Sequence, residues 1–286
     1  MKASACAKLI LFGEHSVVYG QPAIAVPLRS IRLKVELKKS SQDKVSLKGV
    51  NASDSKRVLS ALLIARQQHN MPYHLRLRID SGIPLKCGMG SSAALSVAVT
   101  SALSKSKDPS TVAAAALELE RVFHGTPSGI DVAVSAYEKP VFFIRGKKPI
   151  FIRIRPMWIL VANSGGRTPT RTVVQQVRMK LQKNPALWQA IRNMGAIAAT
   201  ARAALAKGDI KKLGRLMNLN QTYLRWLGVS SPKLEGLIRS ALDSGALGAK
   251  LSGAGRGGCI VAVYATKAEA QSAARKIKGA FAVRIS

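Results

Sequence analysis

An α/β fold in two lobes is the fold class that this chain predicts, and three observations predict it. Short strands of alternating polar and apolar residues are interleaved with helical stripes along the whole length. The 286 residues suit about two domains at ~150 residues each. The hydrophobic fraction of 47% lets a chain of this size bury roughly three quarters of the surface it exposes when unfolded. These exclude a disordered chain and a scaffold that depends on disulfides. The basic, Pro-punctuated region 145–156 is the expected boundary, giving domains 1–152 and 153–286.

The elements follow in order. In MKASACAKLILFGEH, the run LILF is far too short for a signal-peptide core, so no targeting segment is expected and the segment reads as a strand ending at Gly-Glu-His. SIRLKVELK (30–38) and HLRLRID (74–80) alternate as strands do. Between them, over 53–69, Val58, Ala61, Leu62 and Ala65 form a helical stripe. The turn-rich DSGIPLKCGMGSS leads into a helix over about 91–104, with Leu95, Val99 and Leu103 on one face. The uncharged stretch 87–104 approaches membrane-span length. Gly, Ser, Thr and Ala dominate it, so it reads as a glycine loop entering a buried helix. TVAAAALELERVF (111–123) is a further helix with Asp108 or Ser110 as its cap. GTPSGID reads as a loop leading into AVSAY, followed by strands at 141–144, 150–154 and 158–163. Helices at about 170–183, 186–207, 209–226 and 231–244 come next, then a glycine loop, the strand CIVAVYA, a helix at 267–278 and the strand FAVRI.

Charge and cysteine content bound the function. Lys and Arg number 45 against 14 Asp and Glu, a net charge of +31. Residues 1–150 carry 22 of these cations and 10 of the anions, and no carboxylate side chain occurs from Lys139 to Lys207. Such a field favours anionic partners. The cations are interspersed with apolar residues, and aromatics are only 5%, so base-stacking recognition of single-stranded nucleic acid is poorly supplied. A generally basic surface that draws in polyanionic small molecules is the preferred reading over a nucleic-acid function. Cys6, Cys87 and Cys259 are odd in number and without metal-site spacing, which implies ordinary thiols in a reducing, cytoplasmic setting.

Three glycine-containing segments carry the chemistry. In the first, Lys8 opens the strand LILF, which ends in Gly13-Glu14-His15 and puts an acid and an imidazole at a strand end. The second, Gly88-Met89-Gly90-Ser91-Ser92-Ala93, opens an Ala-rich helix. Its start offers free N–H groups and the positive end of the dipole to an anion, with hydroxyls for a phosphate or a magnesium ion. It is neither a Walker A sequence nor a dinucleotide fingerprint. The third, Lys250-Leu251-Ser252-Gly253-Ala254-Gly255-Arg256-Gly257-Gly258-Cys259 before the strand IVAV, places four glycines in six residues. That density suggests close approach of backbone to a ligand or another loop.

LILFGEHSVVYGQPAIAVPL, GMGSSAALSV, HGTPSGIDVAVS and KLSGAGRGGC, in this order and spacing, resemble the GHMP kinase family. Within it the resemblance is to the mevalonate kinase branch in its archaeal-type form, and it runs nearly end to end. It implies two lobes, an N-terminal domain similar to ribosomal protein S5 domain 2 and a ferredoxin-like C-terminal domain. It also implies phosphoryl transfer from Mg·ATP to the C5 hydroxyl of mevalonate, with phosphomevalonate, the 3-hydroxyl of mevalonate or homoserine as alternative acceptors. On this resemblance Asp131 is the general base, paired with Lys8, and magnesium is held by Ser92 and Glu120. Glu118 and Glu120 sit about 200° apart on a helix, so only one can face the metal, and Glu118 is assigned to solvent. The resemblance gives acceptor binding to His15, Glu14 and Thr170, beside Arg171. ATP phosphates fall to Gly88, Met89, Gly90, Ser91, Ser92 and Ala93, and a closing flap to Ser252, Gly253, Gly255 and Gly257. Family habit implies a homodimer, while the composition leads to no expected membrane or nucleic-acid partner. Arg256 stands where many relatives carry glycine. His69, His74 and His124 read as structural.

Overall fold

The computed structural model describes residues 1–48, 54–84, 87–106, 108–124, 127–166 and 168–286. The expected helix start at 53, Leu85 and Lys86 before the glycine loop, Gly125 and Thr126 of HGTPSGID, and Arg167 lie outside the described residues. The chain forms two compact units. One comprises Met1–Lys8, Pro27–Leu85 and Met89–Lys139, the other Leu9–Val26, Lys86–Gly88 and Pro140–Ser286. The boundary expected at 152/153 cuts the chain once, whereas these units are interleaved: β1 (Lys2–Phe12) and β2 (Ala23–Ser40) each contribute residues to both. Composition cannot mark such a crossing, because it falls inside continuously apolar strands.

In the first unit, β2 pairs antiparallel with β4 (His74–Ser81), from Leu33↔Ser81 to Ser40↔His74, and β3 (Lys44–Lys48) pairs parallel with β4. Period-two alternation buries Leu33, Val35, Leu37, Leu75, Leu77 and Ile79 and turns Lys34, Lys38, Arg76 and Arg78 to solvent. Strand β3 escapes a pattern reading because KVSLK offers only two apolar residues. Among the described residues four helices complete the unit: α1 (Ser55–Gln68), α2 (Ser91–Leu103), α3 (Pro109–His124) and α4 (Ile130–Tyr137). Val58, Ala61, Leu62 and Ala65 of α1 are buried, as their spacing requires. In α2, every residue from Ala93 to Thr100 is buried and α3 and α4 both pack against it, as an all-round apolar core helix demands. Among the described residues no helix is long and apolar enough to cross a membrane.

Asp108 is the cap of α3. Its carboxylate accepts the Thr111 N–H at 2.9 Å, and hydrogen bonds from the Ser110 hydroxyl and from Thr111 hold its pKa down at about 2. Helix α4 corrects the reading of GTPSGID as a loop running on to AVSAY. Gly129, at φ 87°, turns the chain in the left-handed region, and the helix begins at once with Ile130. Asp131 therefore sits in a first helical turn, where the dipole favours an anion.

In the second unit, β7 (Met157–Asn163), β8 (Gly248–Ser252), β9 (Cys259–Tyr264) and β10 (Ala280–Ile285) form an antiparallel sheet in the order β10-β7-β9-β8. This is the 4-1-3-2 order of a ferredoxin-like sheet. The start of β2 pairs with β5 (Val141–Phe143), which pairs with β6 (Ile150–Phe151). Strand β6 stops three residues short of its expected end, where Arg153 and Arg155 turn to solvent. Helices α5 (Thr170–Lys183), α6 (Leu187–Lys207), α7 (Ile210–Trp226) and α8 (Pro232–Asp243) lie where periodicity puts them. Helix α9 (Lys267–Lys276) opens with a capping box between Thr266 and Glu269.

Strand β8 takes residues that the sequence assigns to the glycine loop. Ala249 and Leu251 join the core with Leu160, Ile260 and Ala262, so GAKLS is strand and Ser252 is its last residue. Gly248 and Gly214 allow α7 to lie directly on this strand: a Cβ on Gly248 would meet the Gly214 carbonyl oxygen at 2.1 Å.

Candidate active site

Two clusters of polar residues stand out, one in each unit. In the first unit, Lys8 is held by its backbone, whose N–H donates to the Met89 carbonyl at 3.0 Å. Its side chain runs past Gly90, where a Cβ would stand 2.8 Å from Lys8 Cγ. Gly90 also has φ 73°, so this position needs glycine for conformation and for space alike. Lys8 is buried, and its Nζ lies 3.0 Å from Oδ2 of the half-buried Asp131. The pair recommended by the sequence is thus assembled by the end of one strand and the start of one helix.

Helix α3 supplies Glu120 to the same unit. Glu118 points outward and pairs with Arg121 at 3.1 Å, while Glu120 is 2% exposed. The Ser92 hydroxyl donates to Glu120 Oε1 at 2.8 Å, and the Ser96 hydroxyl, one turn along α2, to Oε2 at 3.2 Å. His124 Nε2 lies 3.1 Å from Ser92 Oγ and 3.4 Å from Glu120 Oε1. Burial pushes the Glu120 carboxyl up to about 8. The Asp131 charge adds to the rise, and the Ser92 and Ser96 hydroxyls and Lys8 oppose it. A buried carboxylate with a serine hydroxyl beside it is a hard-oxygen donor set, and a divalent cation would supply the positive charge that burial denies it. The residues fit such an ion. Gly88 is exposed, Met89 and Gly90 are buried, and Ser91, Ser92 and Ala93 form the first turn of α2, whose N–H groups have no partners within the helix.

In the second unit, β1 is followed by Gly13, whose φ of 94° and close approach to Ala23, where a Cβ would lie 2.5 Å from Ala23 Cα, require glycine. The Ser16 N–H then donates to the Glu14 carbonyl at 2.7 Å across His15, whose φ of 60° and ψ of −47° mark the rare, strained positive-φ form of the γ-turn. His15 is buried, and its Nε2 donates to the Ala254 carbonyl at 2.8 Å. Burial lowers its pKa, so the ring is neutral at pH 7 and Nδ1 keeps its lone pair. Glu14 is buried in an ion pair with Lys250, which is 0% exposed and also donates to the Leu251 carbonyl at 2.7 Å. The Ser252 hydroxyl donates to the Ile10 carbonyl at 2.8 Å.

Beyond Ser252, Gly253, Gly255, Gly257 and Gly258 all have positive φ, and so does Arg256 at 54°. The Arg256 N–H donates to the Val229 carbonyl at 2.7 Å, its Nε to the Gly228 carbonyl at 3.3 Å, and its own carbonyl accepts from Thr168 at 3.0 Å. Thr170 and Arg171 open α5 and are exposed. Sequence reasoning missed Ser96, Lys250 and the part taken by His124. Ser96 was within reach, since it stands four residues after Ser92 on the same helical face. His124, which the sequence reads as structural, lies against Ser92 instead.

Residues 56–139 match the GHMP kinases N terminal domain and residues 201–283 the GHMP kinases C terminal domain. A mevalonate kinase of Pyrococcus horikoshii is 36% identical over 97% of this chain and 92% of its own length. The chain belongs to the GHMP kinase family. It is an enzyme closely related to mevalonate kinases, acting on a small molecule with ATP. A mevalonate kinase of Thermococcus sibiricus is 34% identical over 97% of this chain and 93% of its own. The crystal structure of L. major mevalonate kinase in complex with R-mevalonate superimposes with a TM-score of 0.88 at 28% identity, covering 100% of this GHMP kinase and 96% of that chain. The two-lobed α/β fold is therefore that of known GHMP kinases.

Proposed function

We propose that this GHMP kinase is a mevalonate 5-kinase, moving the γ-phosphate of ATP to the C5 hydroxyl of mevalonate to give 5-phosphomevalonate for isoprenoid synthesis. The observation that carries the chemistry is the Lys8–Asp131 pair at 3.0 Å. The near end-to-end likeness to mevalonate kinases carries the substrate.

Asp131 accepts the hydroxyl proton as the alkoxide oxygen forms its bond to the γ-phosphorus, the β–γ bridge breaks and ADP leaves. Lys8 lies beside it and offsets the negative charge that gathers on the transferring group. The N–H groups at the start of α2, with Gly88 to Ala93, hold the ATP phosphates. Ser92 and Glu120 would hold the magnesium ion, which when bound neutralises phosphate oxygens. His15, buried and neutral, and Thr170 orient the acceptor, while Gly253, Gly255 and Gly257 give the loop after Ser252 the backbone freedom to approach a ligand closely. Phosphoryl transfer asks for this kind of positioning and neutralisation more than for covalent catalysis.

A coupled ADP-release assay with Mg·ATP and mevalonate, with phosphorus NMR to locate the new phosphate, tests the proposal. Turnover with phosphate at C5, reduced by about 10²-fold or more in Asp131→Asn, is the expected result. Phosphomevalonate and homoserine serve as controls. Activity on either, with none on mevalonate, would keep the family and overturn the substrate.

A further inference from the structure

Lys250 is buried to the last atom, and the family roles described above give it none. It sits in β8 between the core residues Ala249 and Leu251, and its ammonium reaches Glu14, the residue before the strained His15. Two further bonds join the same two stretches of chain: Ser252 Oγ to the Ile10 carbonyl at 2.8 Å and His15 Nε2 to the Ala254 carbonyl at 2.8 Å. The end of β1 and the entry to the glycine loop are thus tied three times across more than 230 residues of sequence.

A buried ion pair is a poor way to obtain stability, because apolar residues of the same volume serve as well or better. What it does supply is fixed geometry. Lys250 has three donors and no acceptor. Using them on Glu14 and on the Leu251 carbonyl sets Glu14, and with it the γ-turn, at one distance from β8. A backbone in a sparsely populated region persists only where its surroundings over-determine it, and His15 meets that condition through the bonds on either side of it.

We propose that Lys250 is a positioning residue, which acts through Glu14 to hold the turn that aims His15 and to register that turn against the glycine loop. This rests on the reading of His15 as an acceptor-binding residue. Glu14 then serves the acceptor indirectly, by fixing its neighbour, rather than by touching it.

The double variant Glu14→Gln/Lys250→Met removes both charges at nearly constant volume, so a merely structural pair would be replaced without functional cost. Its thermal midpoint should stay within a few degrees of the wild type, while KM for mevalonate rises at least about tenfold and KM for ATP changes less than about twofold. Nitrogen NMR of the His15 ring gives a second readout that does not depend on turnover: a single Nε2–H tautomer in the wild type, and a mixture in the variant. If wild-type protein does not use mevalonate, the substrate reading fails while the NMR still tests the clamp. Should the double variant not fold, Glu14→Asp keeps the charges paired and shortens the reach by one methylene. It should raise KM for mevalonate at least about threefold in folded protein. Unchanged KM values together with an unchanged His15 tautomer, in either folded variant, would overturn the proposal.

Discussion

Glu120 shows how a single side chain ties the site to the stability of the chain. In the metal-free protein its carboxyl keeps a proton up to about 8, against an ordinary value of 4.5. The folded state therefore binds more protons than the unfolded one between these values. Its contribution is fully present below the ordinary carboxyl pKa and is lost as pH rises through the folded value, at no more than about 1.4 kcal/mol per pH unit. In chelator, urea midpoints of the wild type should fall between roughly pH 5 and pH 8, and Glu120→Gln should flatten that slope. A slope that survives the substitution would assign it to another group. The cause is local: α3 turns Glu120 inward while Glu118, two residues back, faces solvent beside Arg121.

At the scale of elements, the glycine loop between β8 and β9 is held by a residue that is not glycine. Arg256 occupies the left-handed region at φ 54° and is pinned to Gly228, Val229 and Thr168. Left-handed backbone costs an L-residue with a Cβ about 1 kcal/mol or more, and the side-chain bond to the Gly228 carbonyl returns a similar amount. Arg256→Ala keeps the strain and loses the bond, so it should destabilise by about 1 kcal/mol, whereas Arg256→Gly loses both and should lie near the wild type. Denaturant midpoints give the order, and Gly below Ala would contradict it. Helices α5 to α8 were legible because their apolar periodicity is long and uninterrupted, while Lys8, Asp131, Ser92 and Glu120 were singled out through the family resemblance alone. Strand β8 was not, since its lysine and its flanking glycines read as loop. The residue that neutralises Lys250 lies 236 positions away, where no local period reaches. Helix α4 was missed for a related reason, because Gly129 looks like loop until its left-handed turn is seen to start a helix. The interleaving of the units was illegible as well, for it depends on which neighbours β1 and β2 find along their length.

Across the whole molecule the excess of 45 cations over 14 anions has to be accommodated, and the solvent face of the first unit shows how unevenly this is done. The β2, β3 and β4 registers set Lys38 opposite Arg76 and Arg76 opposite Lys44, three cations abreast on exposed positions. The next rows are better balanced, with Glu36 opposite Arg78 and with Asp80 between Lys34 and Lys48. Glu36 is shared between Lys2 at 3.7 Å and Lys38 at 3.5 Å, so the few carboxylates serve several partners each. Like charges directly opposite one another weaken a sheet by about 0.2–1 kcal/mol per pair. Lys44 lies on the edge strand, where its side chain is free to change without disturbing the core. Lys44→Glu should therefore raise stability by about 0.5–1 kcal/mol at low ionic strength, Lys44→Gln by less, and both gains should shrink in 0.5 M salt, where screening acts within about one side-chain length. The wild type itself should gain stability over the same change in salt, since self-repulsion in the folded state is what salt relieves. Denaturant midpoints of the three proteins at two ionic strengths decide it: a salt-independent gain would place the effect in strand propensity rather than in charge, and no gain at all would mean that the three side chains already splay beyond one another's reach.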